Sequence, residues 1–207
     1  MSASPKKSYD REYFDHWYRK RKIRDRGEVC RQVHFAVALT ELLLGRTIRN
    51  VLDIGCGEGR WRDELRLLRP RIRYQGVDPS DYIVNEFGRS HGVKKGSFGE
   101  LGGLRLSGTG LSGHYDLVVC CDVLHYVPDD EVRAGLDAFE DLLFGVAYLD
   151  VFTSADDIIG DKDGFQPRSP AWYRRAFRAA GLVRCGPHAY ATGSLAEQMG
   201  TLEMQQG

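Results

Sequence analysis

Short apolar segments alternate with amphipathic segments along most of the chain. NVLDIG (50–55) has the continuous apolar character of a buried strand, and RWRDELRLL (60–68) has the spacing of an amphipathic helix. The same alternation predicts further strands at 74–78, 93–97, 116–124, 146–152, 182–185 and 188–193, and further helices at 33–44, 81–92, 130–144 and 169–181. This order predicts a single α/β domain of three layers, in which a mostly parallel sheet of six or seven strands carries helices on both faces. Sheets of this kind bind ligands beyond the carboxyl ends of their strands.

The beginning of the chain has a different pattern. Aromatic residues recur there at helical spacing, at Tyr9, Tyr13, Phe14, Trp17 and Tyr18. The basic run RKRKIRDR (19–26) follows them directly. Two interpretations are open: a helix packed on the domain with a solvated basic face, or a lid over a ligand site. We therefore divide the chain into an arm or lid (1–32), the α/β domain (33–193) and a poorly patterned tail (194–207).

Charge and cysteine content narrow the classes of function. The 207 residues include 29 basic and 29 acidic side chains, so a global electrostatic attraction to nucleic acid is absent. No apolar run has membrane-spanning length and the first residues contain no apolar segment of a secretion signal, so we expect no membrane association. The five cysteines include no CxxC pair, which argues against a disulfide framework and for a reducing compartment. These features predict a cytoplasmic protein.

A glycine-rich turn, DIGCGEG (53–59), follows the first strand of the domain. Glycines at these places let the backbone turn sharply and touch a ligand. Arg60 stands where a dinucleotide-binding fingerprint would have its third glycine, and the acid Asp53 suits a cationic ligand better than a pyrophosphate. An NAD-dependent oxidoreductase is therefore disfavoured. Asp78, at the end of the next strand, is placed either to hold both hydroxyls of a ribose or to cap the following helix.

Three segments in order carry a resemblance to a known family. VLDIGCGEG (51–59), GVDPS (76–80) and YDLVVCCDVLHYV (115–127) resemble the class I, Rossmann-like methyltransferases that use S-adenosylmethionine. The resemblance extends over residues 33–185. It implies S-adenosyl-L-methionine as cofactor and S-adenosyl-L-homocysteine as product.

The resemblance also implies which residues surround the cofactor. Asp53 would interact with the methionine part and Asp78 with the ribose. The other residues that it places beside the cofactor are Gly55, Cys56 and Gly57 in the glycine loop, Pro79 after Asp78, Ser97 and Phe98 around the adenine, and Cys121 and Asp122, where a backbone carbonyl would hold the methionine ammonium. Many members of the family have an acid at the place of Ser97, so here the hydroxyl or water would meet the adenine amino group.

The acceptor side carries weaker signals. His125 follows the fourth strand of the family pattern, where it would act as a general base or would be a structural residue bonded across its loop. The long segment 150–170 contains Phe165 and Arg168, and we expect these two residues to contact the substrate. The arm residues Tyr13, Trp17 and Tyr18 would close over the same site. The acids of DDIIGDKD (156–163) lack the pattern of an EF-hand, so we expect no metal.

The sequence thus predicts an enzyme that transfers a methyl group from S-adenosylmethionine to a small-molecule acceptor, mainly by proximity and alignment. Two alternatives stay open: a nucleic-acid or protein methyltransferase, which the basic run 19–26 motivates, and a partner subunit that binds the cofactor without catalysis. Methyltransferases that act on oxygen, nitrogen, carbon and sulfur share the same cofactor-binding half, so these motifs do not identify the acceptor atom. No motif indicates an oligomeric state.

Overall fold

Strands alternate with helices through the part of the chain that the structure describes. The computed structural model describes residues 9–21, 25–104, 114–158 and 160–199. The helices are α1 (Arg11–Phe14), α2 (Arg26–Leu44), α3 (Arg60–Leu68), α4 (Asp81–Phe87), α5 (Asp129–Asp137), α6 (Phe139–Leu142), α7 (Pro170–Ala179) and α8 (Gly193–Met199). Wider π-type turns follow α1 over Asp15–Lys20 and α4 over Gly88–Gly92, and 3-10 turns cover Phe98–Gly103 and Leu124–Tyr126. The strands are β1 (Asn50–Ile54), β2 (Arg73–Asp78), β3 (Val93–Lys95), β4 (Tyr115–Cys121), β5 (Leu143–Asp150), β6 (Val183–Gly186) and β7 (Ala189–Ala191).

One sheet of seven strands organises the domain, in the order β3-β2-β1-β4-β5-β7-β6. β7 is antiparallel to β5 and β6, and the other neighbouring pairs are parallel. The order along the chain reverses at β1, which lies between β2 and β4. The carboxyl ends of these three strands therefore border the switch point where open α/β sheets bind ligands. The predicted fold class is confirmed.

The sheet buries apolar side chains on both faces. Leu52 of β1 and Val118 of β4 lie in the cluster that also contains side chains of α5 and α7. Their neighbours Val51 and Val119 lie in the cluster on the other face, together with side chains of α2, α3 and α8. Burial of each such side chain contributes about 1.5–3 kcal/mol, which explains the continuous apolar runs of these strands. None of the described helices is long and apolar enough to cross a membrane.

Capping residues explain where two helices begin. Ser169 accepts a hydrogen bond from the backbone N–H of Trp172 at 3.2 Å, and Pro170 stands in the first turn of α7, as the sequence predicts. The start of α2 differs from the prediction, because it begins at Arg26 and not at residue 33. The carboxylate of Asp25 accepts a hydrogen bond from the backbone N–H of Glu28 at 2.7 Å and caps the helix there. The helix that we assigned to the domain thus begins inside the segment that we assigned to the arm.

Two other predicted boundaries also differ from the structure. The helix predicted over 130–144 is interrupted at Ala138, and β5 begins at Leu143, where it pairs with Tyr115 of β4. The poorly patterned tail contains α8, because Leu195 is buried against the sheet and anchors the helix. Residues 200–207 of the tail lie outside the described residues.

Candidate functional site

The glycine loop turns sharply at the carboxyl end of β1. Gly55 has φ +70° and Gly57 has φ +51°, values that glycine adopts without strain. A Cβ on Gly55 would lie 2.2 Å from Cγ2 of Val123, in the turn after β4, so no larger residue fits. Cys56 points its sulfur at β2, since a Cβ on Gly76 would lie 2.7 Å from that sulfur. The loop therefore presents backbone, and not the Cys56 thiol, to its outer side.

Asp78 at the end of β2 is tied to the glycine loop. One carboxylate oxygen accepts a hydrogen bond from the backbone N–H of Gly57 and the other from that of Ser80, each at 2.9 Å. Burial raises the pKa of Asp78 above its ordinary value. A carboxylate offers about four lone pairs, so both oxygens keep acceptor capacity for the hydroxyls of a ligand. Ser80, and not Asp78, caps the next helix by accepting from the backbone N–H of Ile83 at 3.2 Å. Pro79 between them is exposed.

Asp53 of β1 is buried beside Tyr74 of β2. The Tyr74 hydroxyl donates a hydrogen bond to the Asp53 carboxylate at 2.7 Å. Burial raises the pKa of Asp53 to about 7, and this hydrogen bond opposes the rise. Sequence reasoning missed Tyr74. The signal is the pairing of Asp53 with Gly76, which puts a side chain two residues earlier in β2 on the same face of the sheet.

The turn after β4 has an unusual backbone. Asp122 has φ +60°, a left-handed conformation that costs a non-glycine residue about 1 kcal/mol or more. Its backbone N–H donates to the carbonyl of Asp150 at the end of β5, at 3.0 Å. Cys121, the last residue of β4, is half-buried. Asp122 thus redirects the chain at the switch point, where its strain is held by the pairing with β5.

The arm packs directly on the glycine loop. The Phe14 ring is buried and lies 3.4 Å from the position that a Cβ on Gly57 would occupy. The Tyr9 carbonyl accepts a hydrogen bond from the Ser80 hydroxyl. The Arg60 guanidinium bonds to the Tyr18 carbonyl at 3.3 Å and lies 4.6 Å from the centre of the Tyr18 ring. These contacts attach the arm to both sides of the loop, so the arm packs on the domain at the place where the resemblance puts the cofactor.

Burial and nearby acids affect the tyrosines of the arm. Burial, followed by the nearby Asp161 and Asp78, raises the pKa of Tyr9 to about 12. Burial raises the pKa of Tyr13 further, and Tyr126 and Asp161 add to that rise. The Tyr126 hydroxyl donates to the Asp161 carbonyl at 2.7 Å. Tyr13 thus lies within electrostatic reach of Tyr126 and Asp161, while its ring packs on Tyr9 and Phe14 of the arm. The Trp17 ring packs on His16 with ring centres 4.8 Å apart.

His125 is buried in the turn after β4. Its Nδ1 accepts a hydrogen bond from the backbone N–H of Phe152 at 3.3 Å, and its carbonyl accepts from the backbone N–H of Gln166 at 2.8 Å. The Phe165 ring lies beside it, with ring centres 5.8 Å apart. A neutral imidazole that accepts at Nδ1 carries its proton on Nε2. This arrangement favours the structural role of His125 over that of a general base.

Arg168 occupies a different position from the one we expected. It is buried, and Nη1 donates to the Leu124 carbonyl at 2.9 Å while Nε donates to the Asp129 carboxylate at 2.6 Å. Nη2 donates to the Val127 carbonyl, and the guanidinium lies 4.6 Å from the centre of the Trp172 ring. Arg168 therefore joins the 150–170 segment to the turn that carries His125, so these contacts give it a structural position and not one on the substrate.

Ser97 and Phe98 also lie differently from the expectation. The Phe98 ring is 2% exposed and lies in the apolar core, 5.9 Å from the Phe139 ring between centres. Ser97 begins the 3-10 turn, and its backbone N–H donates to the Glu100 carboxylate at 2.8 Å. The side chain of Phe98 thus packs inside the domain, whereas Ser97 is half-buried and its backbone bonds to Glu100.

A further polar group at the carboxyl edge has no sequence signal. The Asp150 carboxylate lies 3.3 Å from Nδ1 of His188 and accepts from Nε2 of Gln32 at 3.2 Å. These residues come from three distant segments, which only the sheet brings together. Within the described residues, no group of three or more His, Cys, Asp or Glu side chains is arranged to hold a metal ion.

Comparisons with known proteins agree with this geometry. Residues 52–144 match the model of a protein family described as a methyltransferase domain. A comparison with curated protein sequences gave no significant match. Similar solved structures include a SAM-dependent methyltransferase from Archaeoglobus fulgidus, with 17% identity, a TM-score of 0.60, and coverage of 84% of this chain and 75% of that one.

Two further solved structures match nearly all of their own length. DesVI of Streptomyces venezuelae has 15% identity and a TM-score of 0.60, with coverage of 87% of this chain and 97% of that one. A sugar N-methyltransferase from Streptoalloteichus has 17% identity and a TM-score of 0.62, with coverage of 93% and 98%. At these identities the likeness shows the fold, while the family match covers the glycine loop, Asp78 and the turn after β4. Residues 52–144 thus match a methyltransferase domain, and the fold is that of the class I, Rossmann-like methyltransferases that use S-adenosylmethionine, as the sequence resemblance implies.

Proposed function

We propose that this methyltransferase transfers the methyl group to a small-molecule acceptor. The observation that carries the proposal is the covered glycine loop: Phe14 of the arm is buried beside Gly57, and the arm also bonds to Ser80 and Arg60. A site roofed in this way suits a small acceptor better than a macromolecular one. One of the structural neighbours is a sugar N-methyltransferase, which agrees with an acceptor of this size.

The cofactor would lie across the carboxyl ends of β1, β2 and β4. Asp78 would hold the ribose hydroxyls with the acceptor capacity that Gly57 and Ser80 leave on its oxygens. Asp53 would act on the methionine part, and the carbonyl at Cys121 or Asp122 would bind its ammonium. The backbone of Ser97 and Phe98 would border the adenine. These roles follow from the resemblance, and the buried carboxylates and the left-handed glycine backbone of the loop support them.

The described site suits a mechanism based on alignment. S-adenosylmethionine, when bound, supplies a methyl group on a sulfonium that is already a good leaving centre. The protein then has to hold the acceptor in line with that group and to exclude water, which supplies a large part of the acceleration. The arm tyrosines and Phe165 would perform this role. We assign His125 to the support of the turn and not to proton removal, because its Nδ1 already accepts from the backbone of Phe152.

Part of the basic run 19–26, which motivated a macromolecular acceptor, forms ion pairs within the protein. Arg19 pairs with Glu58 at 2.7 Å beside the glycine loop, and it also pairs with Asp15. Residues 22–24 lie outside the described residues. The five cysteines are free, which fits a reducing compartment and a cytoplasmic location as part of this proposal.

Two successive experiments test cofactor binding and then the class of acceptor. Thermal-shift titration with S-adenosylhomocysteine should stabilise the wild-type protein by about 2.7 kcal/mol at 100 times the dissociation constant. Asp78→Ala should lose this shift, whereas Asp81→Ala, which removes an exposed carboxylate at the start of the helix that follows β2, should keep it. Release of S-adenosylhomocysteine is then measured with panels of amino sugars, phenols and small amines, with RNA and peptides alongside. Turnover confined to RNA or peptides would refute the small-molecule acceptor, and binding without turnover on any panel would favour the non-catalytic subunit.

A further inference from the structure

Asp150 and His188 form a pair of titratable side chains at the carboxyl edge of the sheet. Asp150 is the last residue of β5, and its carboxylate lies 3.3 Å from Nδ1 of His188. His188 belongs to the two-residue turn that joins β6 to β7. Neither side chain has a role in the proposed cofactor site, so the pair is available for another step of the reaction.

The register of the sheet places this pair next to the switch point. Asp150 pairs with Cys121 at the end of β4, and its carbonyl accepts a hydrogen bond from the backbone N–H of Asp122 at 3.0 Å. Adjacent strands are about 4.8 Å apart, so Asp150 lies one strand spacing from the backbone that would bind the methionine ammonium. The backbone N–H of Leu149 donates to the His188 carbonyl at 2.7 Å, which attaches the turn to the same end of β5. The pair thus lies beyond β4, on the side of the cofactor site opposite the proposed ribose position at β2.

The Asp150 carboxylate is held from a second side. Nε2 of Gln32, in α2, donates to Oδ2 of Asp150 at 3.2 Å, while Oδ1 is the oxygen beside His188. The Asp150 side chain is 11% exposed, whereas that of His188 is 46% exposed. A carboxylate beside Nδ1 favours the tautomer that carries its proton there, so the lone pair of the neutral ring is on Nε2. This is the arrangement of a general base that a buried acid orients.

The backbone at His188 is strained. Its φ is +55°, and Asp122 is the other non-glycine residue with a positive φ in the described part of the chain. A left-handed conformation costs a residue of this kind about 1 kcal/mol or more. Tight turns between antiparallel strands use such a conformation, and glycine or asparagine adopts it at lower cost. A histidine kept there beside a carboxylate indicates a use for its imidazole.

We propose that His188, oriented by Asp150, accepts the proton that the methyl acceptor loses. This inference rests on the proposed function, and it specifies an acceptor with a hydroxyl or amino group. The acceptor oxygen or nitrogen forms a bond to the methyl carbon, while the bond from that carbon to sulfur breaks and its electron pair stays on sulfur. The proton of the acceptor passes to Nε2 of His188. It then leaves to water, because the imidazole is half-exposed.

Replacement of His188 by glycine tests the proposal, because glycine keeps the left-handed turn. Release of S-adenosylhomocysteine is measured with a phenol or an amino sugar that supports turnover by the wild type. His188→Gly should lower kcat by about 10²–10⁴-fold and change the KM of the acceptor less. Its melting temperature should stay the same or rise, because the strain is relieved. Added imidazole should restore part of its kcat, which a structural role would not produce.

Two further variants accompany this test. Asp150→Asn keeps the shape of the side chain but removes its charge, so kcat should fall while the affinity for S-adenosylhomocysteine is unchanged. The matched control is His34→Gln, which removes an exposed imidazole from α2 and should keep the kcat of the wild type.

Two results would overturn the proposal. An unchanged kcat in His188→Gly would show that the proton goes elsewhere. A lower kcat accompanied by a lower melting temperature and weaker binding of S-adenosylhomocysteine would show that the pair only holds the turn against β5. Either result with an active wild type leaves the proposed methyl transfer intact. Absence of turnover by the wild type on every panel would instead refute the proposed function, and this inference with it.

Discussion

Removal of the Tyr74 hydroxyl tests how the protein keeps the acid at the end of β1 ionised. Asp53 is buried, and its pKa is about 7, so it is about half ionised at neutral pH. The hydrogen bond from Tyr74, at 2.7 Å, stabilises the ionised form. Tyr74→Phe keeps the ring and removes the donor, so the pKa of Asp53 should rise. If the ionised carboxylate helps to bind the cationic methionine part, affinity for the cofactor should fall at neutral pH.

The magnitude follows from the strength of such a bond. A hydrogen bond to a charged group contributes about 1.5–3 kcal/mol, which corresponds to a pKa rise of about 1–2 units. The ionised fraction at pH 7 would then fall from about one half to about 1–10%. Affinity for S-adenosylhomocysteine should therefore weaken by about fivefold to fiftyfold at pH 7, and the difference should shrink to about twofold or less above pH 9.

Titration calorimetry between pH 6 and 9.5 measures this effect as the ratio of variant to wild-type dissociation constants. The titration of the ligand itself cancels in this ratio. Tyr190→Phe, which removes a half-buried hydroxyl at the other side of the sheet, is the control. A ratio that is large but constant with pH would show that Tyr74 acts by packing alone. A ratio of one throughout would show that the ionisation of Asp53 does not matter for binding.

Three further perturbations have defined outcomes. Gly55→Ala should abolish binding of S-adenosylhomocysteine because its Cβ would lie 2.2 Å from Val123, and adding Val123→Ala should restore part of the melting temperature without removing the strain at φ +70°. Asp53 binds a proton more tightly when folded, so it makes the apo-protein less stable as pH rises from about 4 to about 7. Urea unfolding of Asp53→Asn should lack this decline, and an unchanged decline would contradict the assignment. Arg168→Ala should lower the free energy of unfolding by about 3 kcal/mol through unsatisfied buried carbonyls, against about 0.5 kcal/mol or less for the exposed Arg174→Ala.

The sequence by itself determined most strands and helices of the fold and the position of the glycine loop between β1 and α3. Strands buried on both faces require unbroken apolar runs. NVLDIG and DLVVCC can therefore be recognised as strands from the sequence alone. A loop whose backbone is left-handed requires glycine, so Gly55 and Gly57 also indicate the turn from the sequence alone. Asp78 can be placed at the carboxyl edge without a structure because it ends the second predicted strand of the domain.

Only the tertiary structure decided which side chains meet at the site and which support it. Tyr74 reaches Asp53 through the register of two parallel strands, and the arm reaches the glycine loop across the fold. We expected Arg168 to contact the substrate, but its guanidinium donates to carbonyls of another segment. The residues next to Arg168 in sequence do not reveal these partners. Local patterns record backbone geometry and burial, because these act over a few residues. Hydrogen-bond partners and charge clusters depend on distances between remote segments, and those distances exist only once the sheet has formed.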